Sequence, residues 1–290
     1  MKKLIDYILL ARPWQYLKNL FIFAPVFFGI KLTETQLLLN SVVAFILFCL
    51  VASSVYVIND LKDIEKDRQH PTKKNRPLAA GRINKGEAVI FAVILLLISL
   101  PASFIFNQQL ALVLSSYFLL NLAYSLKFKH IAIVDVIIIS VGFVMRIFAG
   151  SAVTGITLSM WVILMTFLIS LFLALAKRRD DVLILAKTGK SMRKSIDGYN
   201  LEFINVSLSM LATTTLMAYI MYTVSAEVTS RFGSENLYMT SLFVILGLLR
   251  YFQVTFVFEN SHSPTKVLLT DRVIQSAVVL WVITFAIIIY

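Results

Sequence analysis

Long uncharged apolar runs recur along the whole of this 290-residue chain, and they constrain its fold more than any other feature. Hydrophobic residues make up 59% of the sequence, above the roughly 45–50% that is typical of soluble domains. A run of about 20 apolar residues spans the ~30 Å hydrocarbon core of a bilayer when it forms an α-helix. The sequence therefore predicts an all-α, polytopic membrane protein.

Nine apolar segments are predicted to cross the membrane as helices. They are residues 15–30, 37–58, 88–106, 110–126, 131–150, 156–176, 203–226, 237–258 and 268–290. Together they form one predicted domain over residues 1–290. The two large polar stretches between them, about 59–87 and 177–202, are the predicted catalytic loops, because the chain offers little other polar material for chemistry.

Basic residues are distributed unevenly among the connecting loops. The loops after the second, fourth, sixth and eighth spans hold most of the lysines and arginines, whereas the alternate loops hold only Lys31 and Arg231. By the positive-inside rule, the N-terminus and both large loops face the cytoplasm. This explains the formal charge of +11 without a nucleic-acid partner. It predicts a multi-pass protein of the plasma (inner) membrane with a cytoplasmic active site.

The second span runs directly into an acidic helix end, residues 59–67. Asp60, Asp63 and Asp67 are spaced i, i+3 and i+7, so a helix places them on one face. Clustered carboxylates repel one another unless a cation neutralises them. Mg²⁺ prefers hard oxygen ligands, and these three aspartates are its predicted ligands. The alternative is a solvated helix end whose acids pair with neighbouring bases.

A basic segment follows the acids after a few residues. It contains Lys73, Lys74 and Arg76, and Pro77 and Gly81 bend the chain around them. Acids for a metal beside bases for phosphate form the layout that a metal–diphosphate complex requires. The alternative is an ordinary cytoplasmic loop enriched in basic residues.

These motifs resemble those of the UbiA superfamily of intramembrane prenyltransferases. The residues that carry the resemblance are Asn59, Asp60, Asp63, Asp67, His70, Pro71, Arg76, Pro77 and Gly81. The likeness extends over essentially the whole chain, and it implies a bundle of nine transmembrane helices. In one respect the chain departs from that pattern. Superfamily members that prenylate aromatic substrates carry a second motif, Asp-x-x-x-Asp, after the sixth span, and residues 176–181 here are Ala-Lys-Arg-Arg-Asp-Asp instead.

Within the superfamily, this departure resembles the branch of decaprenyl-phosphate phosphoribosyltransferases. Further residues that resemble this branch are Arg12 to Asn19, Tyr124 to Lys127, Asp135, Arg146, Gly150, Arg193 to Ser195 and Tyr199. The resemblance implies a Mg²⁺-dependent transfer of 5-phosphoribose from phosphoribosyl diphosphate (PRPP) to a polyprenyl phosphate in the bilayer, with release of diphosphate. A homo-oligomer is compatible with this reading. The alternative is an aromatic or quinone-precursor prenyltransferase with a degenerate second motif. A transporter is disfavoured because no internal repeat is found.

Candidate site residues follow from the motifs and the resemblance. Asp60, Asp63, Asp67 and Asn59 are the predicted catalytic residues, and Asn59 orients a ligand or contacts the ribose. The predicted substrate-binding residues are Lys18, Asn19, Lys73, Arg76, Tyr124, Lys127, Asp135, Arg146, Lys177, Arg178, Arg193 and Tyr199. Asp135 and Arg146 are charges inside one span, about three helical turns apart, so they cannot pair directly and each needs another partner.

Overall fold

The computed structural model describes residues 2–69, 72–188, 194–258 and 264–289. These residues are mostly helical, and no strand occurs among them. Eight helices within the described ranges are long and apolar enough to cross a membrane. The predicted all-α, multi-pass membrane fold is thereby confirmed. The count of nine spans is approximate, because the first predicted span takes a different form.

The first predicted span, residues 15–30, is not one α-helix. Helix α1 (Lys2–Ala11) is followed by a 3-10 helix (Pro13–Phe23) and by the short helix α2 (Ala24–Phe28). Pro13 and Pro25 each stand near the start of a helix, where the missing backbone N–H removes no hydrogen bond. The prolines therefore divide the apolar segment into short pieces.

The remaining helices follow the predicted spans closely. In chain order they are α3 (Thr35–Gln69), α4 (Lys85–Phe106), α5 (Gln108–Leu126), α6 (Val134–Thr154), α7 (Met160–Thr188), α8 (Leu201–Val224), α9 (Ala226–Phe232), α10 (Ser241–Phe252), α11 (Pro264–Thr270) and α12 (Arg272–Ile289). A π-helix (Gln253–Val257) extends α10. Helices α3 and α7 continue well past their apolar parts, so the first portion of each predicted catalytic loop is helical.

Asparagine side chains cap the N-termini of three of the long helices. Asn84 accepts a hydrogen bond from the backbone N–H of Glu87, and Asn107 and Asn200 make the equivalent contact at α5 and α8. Such caps satisfy backbone donors that the first helical turn leaves unpaired. Asn107 lies between α4 and α5 and therefore fixes the short turn that joins them.

The chain divides into two compact units. Unit 1 comprises Met1–Lys129 and Gly142–Leu158, and unit 2 comprises His130–Val141 and Ser159–Tyr290. In unit 1, α3 packs against α4, α5 and the 3-10 helix, and Phe48 lies at the centre of its apolar core. In unit 2, α7 packs along α8, and α10 packs along α12.

Many large apolar side chains lie on the outer surface of the helices. Ile105 is 86% exposed and Leu112 is 69% exposed. So many exposed large apolar side chains are unfavourable in water and suit contact with lipid chains. The chain is therefore a multi-pass membrane protein, and its polar clusters stand out as sites of chemistry.

Candidate functional site

The acidic end of α3 is neutralised by arginines from other parts of unit 1. Asp60 Oδ1 accepts hydrogen bonds from Arg12, which follows α1, and from Nη1 of Arg76 at 3.0 Å. The same Arg76 nitrogen lies 2.6 Å from Oδ2 of Asp67. Asp60 and Asp67 are only 3% and 4% exposed, so these contacts form in a medium of low dielectric constant. Two of the three predicted metal ligands thus converge on one cationic nitrogen.

The third aspartate has a partner of its own. Asp63 Oδ1 accepts a hydrogen bond from Lys129 Nζ at 2.7 Å, and Lys129 lies just beyond the end of α5. None of these three aspartates pairs with a basic residue of α3 in the described structure. Arg68 instead pairs with Glu65 at 3.1 Å on the exposed side of α3. Long-range cations, rather than local ones, therefore balance the aspartates.

The donor set of this cluster suits a divalent cation in part. Oxygens of Asp60 and Asp67 lie 3.0 and 2.6 Å from a single Arg76 nitrogen, so one positive charge already contacts both carboxylates. Hard carboxylate oxygens are the ligands that Mg²⁺ prefers. Among the residues that the structure describes, no group of three His, Cys, Asp or Glu side chains is arranged to hold a metal ion. The three-aspartate metal site therefore stays a prediction.

A cavity of about 270 Å³ opens beside this cluster in unit 1. It is lined by Leu9, Arg12, Trp14, Gln15, Asp60, Thr72, Asn75, Arg76 and Pro77. Burial lowers the pKa of the Arg12 guanidinium, although the nearby Asp60 opposes that change. The cavity thus combines two guanidinium groups, neutral polar side chains and one carboxylate, a lining that suits a phosphorylated ligand.

Other predicted residues of unit 1 surround the same helix end or lie on neighbouring helices. Asn59 accepts a hydrogen bond from the hydroxyl of Ser125 on α5. Tyr124 and Lys73 are half-buried, and Lys127 is exposed. Lys18 is half-buried and has no ion-pair or hydrogen-bond partner for its ammonium group among the described parts of the chain, which leaves it available to an anion.

Arg146 is held in a cage of neutral groups. Its guanidinium donates to Oδ1 of Asn19 at 2.8 Å, to the carbonyl oxygen of Gly142 at 2.5 Å and to the hydroxyl of Tyr117 at 3.2 Å. It also lies 4.8 Å from the ring centroid of Phe48. Arg146 is 4% exposed, so cation–π contacts and charge-assisted hydrogen bonds stabilise a buried charge here.

Asp135 does not pair with Arg146 but with Arg178, which also lies in unit 2. Its Oδ2 accepts a hydrogen bond from Nε of Arg178 at 2.7 Å, and its Oδ1 accepts one from the hydroxyl of Tyr199 at 2.8 Å. Ser195 donates to the same carboxylate at 3.2 Å. Arg178 also contacts Asp181 at 3.0 Å. Asp135 thus bonds two other predicted substrate-binding residues, Arg178 and Tyr199.

Tyr199 links this network to the backbone before α6. Its hydroxyl accepts a hydrogen bond from the backbone N–H of Ile133 at 2.6 Å. Burial raises the pKa of Tyr199 above its ordinary range, so the hydroxyl stays protonated and keeps donating to Asp135. The network therefore ties α6 and α7 to the segment before α8.

Two groups of predicted residues remain. Lys177 is exposed on α7. Arg193 and the His70–Pro71 pair of the motif lie outside the described residues. The sequence interpretation did not include Arg12, Lys129, Gln15 or Asn75 as site residues. Arg12 carried a usable signal, since it is a charge beside a proline at the edge of an apolar segment. Lys129 carried none that distinguishes it from other loop lysines.

Comparisons with known proteins agree with this architecture. Residues 21–269 match the model of the UbiA prenyltransferase family. The decaprenyl-phosphate phosphoribosyltransferase of Corynebacterium glutamicum is 33% identical over 294 residues, which cover 100% of this chain and 88% of that protein. The protein of the same name from Mycolicibacterium smegmatis is 33% identical, with 97% of this chain and 91% of that protein covered.

Solved structures show the same fold. A UbiA homolog from Archaeoglobus fulgidus bound to DMAPP and Mg²⁺ superposes with a TM-score of 0.71 over 98% of this chain and 99% of that chain. Sequence identity in that comparison is 20%, so the likeness concerns the fold alone.

Proposed function

The chain belongs to the UbiA prenyltransferase family, and from that premise we propose that it transfers 5-phosphoribose from PRPP to a polyprenyl phosphate and releases diphosphate. Similarity along the full length to two decaprenyl-phosphate phosphoribosyltransferases carries this proposal. The family resemblance that the aspartate motif indicated is confirmed by the matching family model. The chain is accordingly a membrane-embedded transferase.

The charges of unit 1 support this choice of substrates. PRPP brings a diphosphate and a separate 5-phosphate, and the lipid acceptor brings a third anionic group. The acidic end of α3 is accompanied by Arg12, Arg76 and Lys129, and Lys18 adds a further cation in the same unit. A site with this many cations suits these three anionic groups better than one prenyl diphosphate and a neutral aromatic ring.

We assign a divalent cation, Mg²⁺, to Asp60 and Asp67, with Asp63 as a further ligand from the same helix face. Bound there, Mg²⁺ would supply positive charge to the leaving diphosphate. Asn59 is anchored through its side-chain oxygen by Ser125. Its amide nitrogen is therefore the group that we assign to a ribose hydroxyl.

The acceptor needs no strong protein base. A phosphate monoester is already mostly ionised near pH 7, because its second pKa is about 6. We assign Lys18 to the lipid phosphate, because its ammonium group has no protein partner among the described residues. Positioning of the two substrates and stabilisation of charge would then account for most of the rate.

Phosphate contacts are assigned to Lys73, Arg76, Lys127, Lys177 and Arg193. Arg178 is not assigned to a phosphate, because it is 1% exposed and its guanidinium is bonded to Asp135 and Asp181. A buried, paired guanidinium cannot reach a substrate without losing both partners. We therefore propose that Arg178, Asp135 and Tyr199 hold α6, α7 and the segment before α8 in place within unit 2.

We also propose that the protein resides in the plasma membrane with the acidic end of α3 on the cytoplasmic side. The uneven distribution of lysines and arginines supports this orientation. Cys49 is buried and is the only cysteine, so a cysteine introduced at the exposed Lys74 can be labelled selectively. A membrane-impermeant maleimide should label Lys74→Cys in inverted vesicles and not in intact cells. The reverse pattern would contradict the orientation.

The activity itself is tested with purified protein reconstituted in lipid nanodiscs. One reaction contains labelled PRPP, Mg²⁺ and a series of polyprenyl phosphates. The other contains a polyprenyl diphosphate and an aromatic acid. Mass spectrometry should detect a polyprenyl-phosphoribose product in the first reaction alone. Product in the second reaction alone would replace the proposal with an aromatic prenyltransferase.

A further inference from the structure

The contacts of Asp60 point to a role for Arg12 that the family assignment does not supply. One carboxylate oxygen, Oδ1 of Asp60, accepts hydrogen bonds from both Arg12 and Arg76. Arg76 reaches across to Asp67 as well, at 2.6 Å. Both aspartates are buried, and two guanidinium groups are their counter-ions. A divalent cation can take these oxygens only if the guanidinium contacts are broken.

The cavity beside Asp60 can accommodate the guanidinium groups of Arg12 and Arg76 after a cation displaces them. The side chains of Arg12 and Arg76 are 16% and 29% exposed, whereas that of Asp60 is 4% exposed. Both arginines line the cavity of about 270 Å³, together with Gln15 and Asn75. Each could therefore turn from a carboxylate to a phosphate in that cavity with its backbone unchanged. Planar guanidinium groups bind phosphate oxygens in two-pronged fashion.

The backbone of Arg12 also marks it as unusual. Its φ and ψ angles are 57° and 59°, in the left-handed region, and it precedes Pro13. A non-glycine residue adopts this conformation rarely and at an energetic cost. Such residues cluster at ligand-binding and catalytic sites, where the surrounding structure holds them in place. In this conformation the Arg12 side chain contacts Asp60.

We infer that Arg12 and Arg76 are exchangeable counter-ions. They hold Asp60 and Asp67 until a divalent cation displaces them, and Arg12 then binds a phosphate of the substrate in the cavity that it lines. The phosphate half of this inference rests on the proposed function. No covalent step is involved, since one cation replaces another at the carboxylates. Metal and phosphorylated substrate would therefore bind in a mutually reinforcing way.

Arg12→Gln tests the counter-ion role and the phosphate role separately, because it should change the affinities for metal and for PRPP in opposite directions. Loss of a competing positive charge near the carboxylates should tighten binding of Mn²⁺ alone by about tenfold, as measured by electron paramagnetic resonance. Loss of a phosphate ligand should weaken binding of PRPP with Mg²⁺ by about tenfold or more, as measured by calorimetry. Arg12→Lys keeps the charge without the planar fork. It should leave Mn²⁺ binding near the wild-type value and still weaken PRPP binding.

Arg68→Gln is the matched control, because it removes an arginine of α3 that does not line the cavity and contacts Glu65 and the backbone carbonyl oxygen of Ala79 instead, while the glutamine amide can still donate to Ala79. It should change neither affinity. Thermal unfolding and size-exclusion profiles would establish that each variant is folded. Mn²⁺ binding that is unchanged or weaker in Arg12→Gln would overturn the counter-ion role, and unchanged PRPP binding would overturn the phosphate role.

A failure of the proposed function can be distinguished from a failure of the inference about Arg12. If the wild-type protein transfers no phosphoribose, the Mn²⁺ measurement still decides the counter-ion role. Inorganic diphosphate with Mg²⁺ then replaces PRPP as the probe of the phosphate role. Equal diphosphate affinities in the wild type and Arg12→Gln would refute it.

Discussion

Nε of Arg178 lies 2.7 Å from Oδ2 of Asp135, and these side chains are 1% and 0% exposed. The two residues come from different helices, α7 and α6, and they are 43 positions apart in the sequence. A buried ion pair adds little net stability compared with apolar packing, but removal of one partner strands the other charge away from water. The pair therefore fixes the relation of the two helix ends once both have formed.

Substitution of Asp135 should destabilise unit 2 strongly. Asp135→Asn removes a charged partner from Arg178, whose guanidinium stays buried beside Asp181, so we expect a loss of about 3–5 kcal/mol in the free energy of unfolding. Tyr199→Phe removes one hydroxyl that bonds both Asp135 and Ile133 N, and should cost about 1–3 kcal/mol. Thermal unfolding of the purified protein in detergent measures both effects.

Asp197 provides the matched control for these two variants. It lies two residues before Tyr199 but is exposed, so Asp197→Asn should change stability by less than about 0.5 kcal/mol. If Asp135→Asn were as stable as Asp197→Asn while binding PRPP more weakly, Asp135 would act as a substrate contact and not as a positioning residue.

The long helices were predictable because lipid and water impose a simple requirement. A span must be apolar and uncharged over about 20 residues, and that pattern is visible in the sequence. Predicted segments 88–106 and 110–126 correspond to Lys85–Phe106 and Gln108–Leu126. Hydropathy does not detect where a helix ends in water. The spacing of the aspartates predicted that α3 continues to residue 67, whereas the helical continuation of α7 to Thr188 was not predicted. Nor does hydropathy distinguish the 3-10 helix at Pro13–Phe23 from an α-helical span.

Replacement of the aspartates should abolish transfer without unfolding the protein. We expect Asp60→Ala and Asp63→Ala to lower kcat by at least about 100-fold, because binding of the metal and charge on the leaving group depend on them. Glu65→Gln is the control, since Glu65 lies on the same helix with a side chain that is 75% exposed. It should retain wild-type activity. Membrane insertion is checked by fractionation, and retained turnover in both aspartate variants would contradict the metal assignment.

The composition of the acidic cluster could be predicted only in part. Helical spacing identified Asp60, Asp63 and Asp67, because it follows from local geometry. Of the cations that balance them, Arg76 was predicted as a site residue from the basic segment that follows the acids, whereas Arg12 and Lys129, which are 48 and 66 residues distant from their partners, were not. Tertiary packing brings such distant residues into contact, and these contacts cannot be predicted from a single sequence. The neighbouring lysines on α3, which were the local alternative, do not form these contacts.

Arg146 offers a test between a structural and a substrate-binding role. Arg146→Met leaves buried Asn19 and Tyr117 without their charged donor, so we expect a loss of about 3 kcal/mol or more in the free energy of unfolding. Arg146→Lys keeps the charge, but its single nitrogen cannot occupy the three positions from which Nε, Nη1 and Nη2 donate, so it should recover only part of that loss. Unfolding temperatures report the outcome. Wild-type stability with weaker substrate binding would instead favour the substrate role.

Gly150 should be intolerant of a side chain because the 3-10 helix passes directly over it. A Cβ atom added there would lie 2.0 Å from the backbone carbonyl oxygen of Ile22, so the backbone that carries Lys18 and Asn19 would have to move. Gly150→Ala should cost about 1–3 kcal/mol in stability and lower activity in the same variant. Gly247→Ala is the control, since within the described ranges no atom outside its own helical backbone lies within 4 Å of a Cβ added there, and it should be neutral or stabilise α10 by about 0.5–1 kcal/mol. Equal unfolding temperatures for the two variants would show that the approach of Ile22 to Gly150 is not a packing constraint.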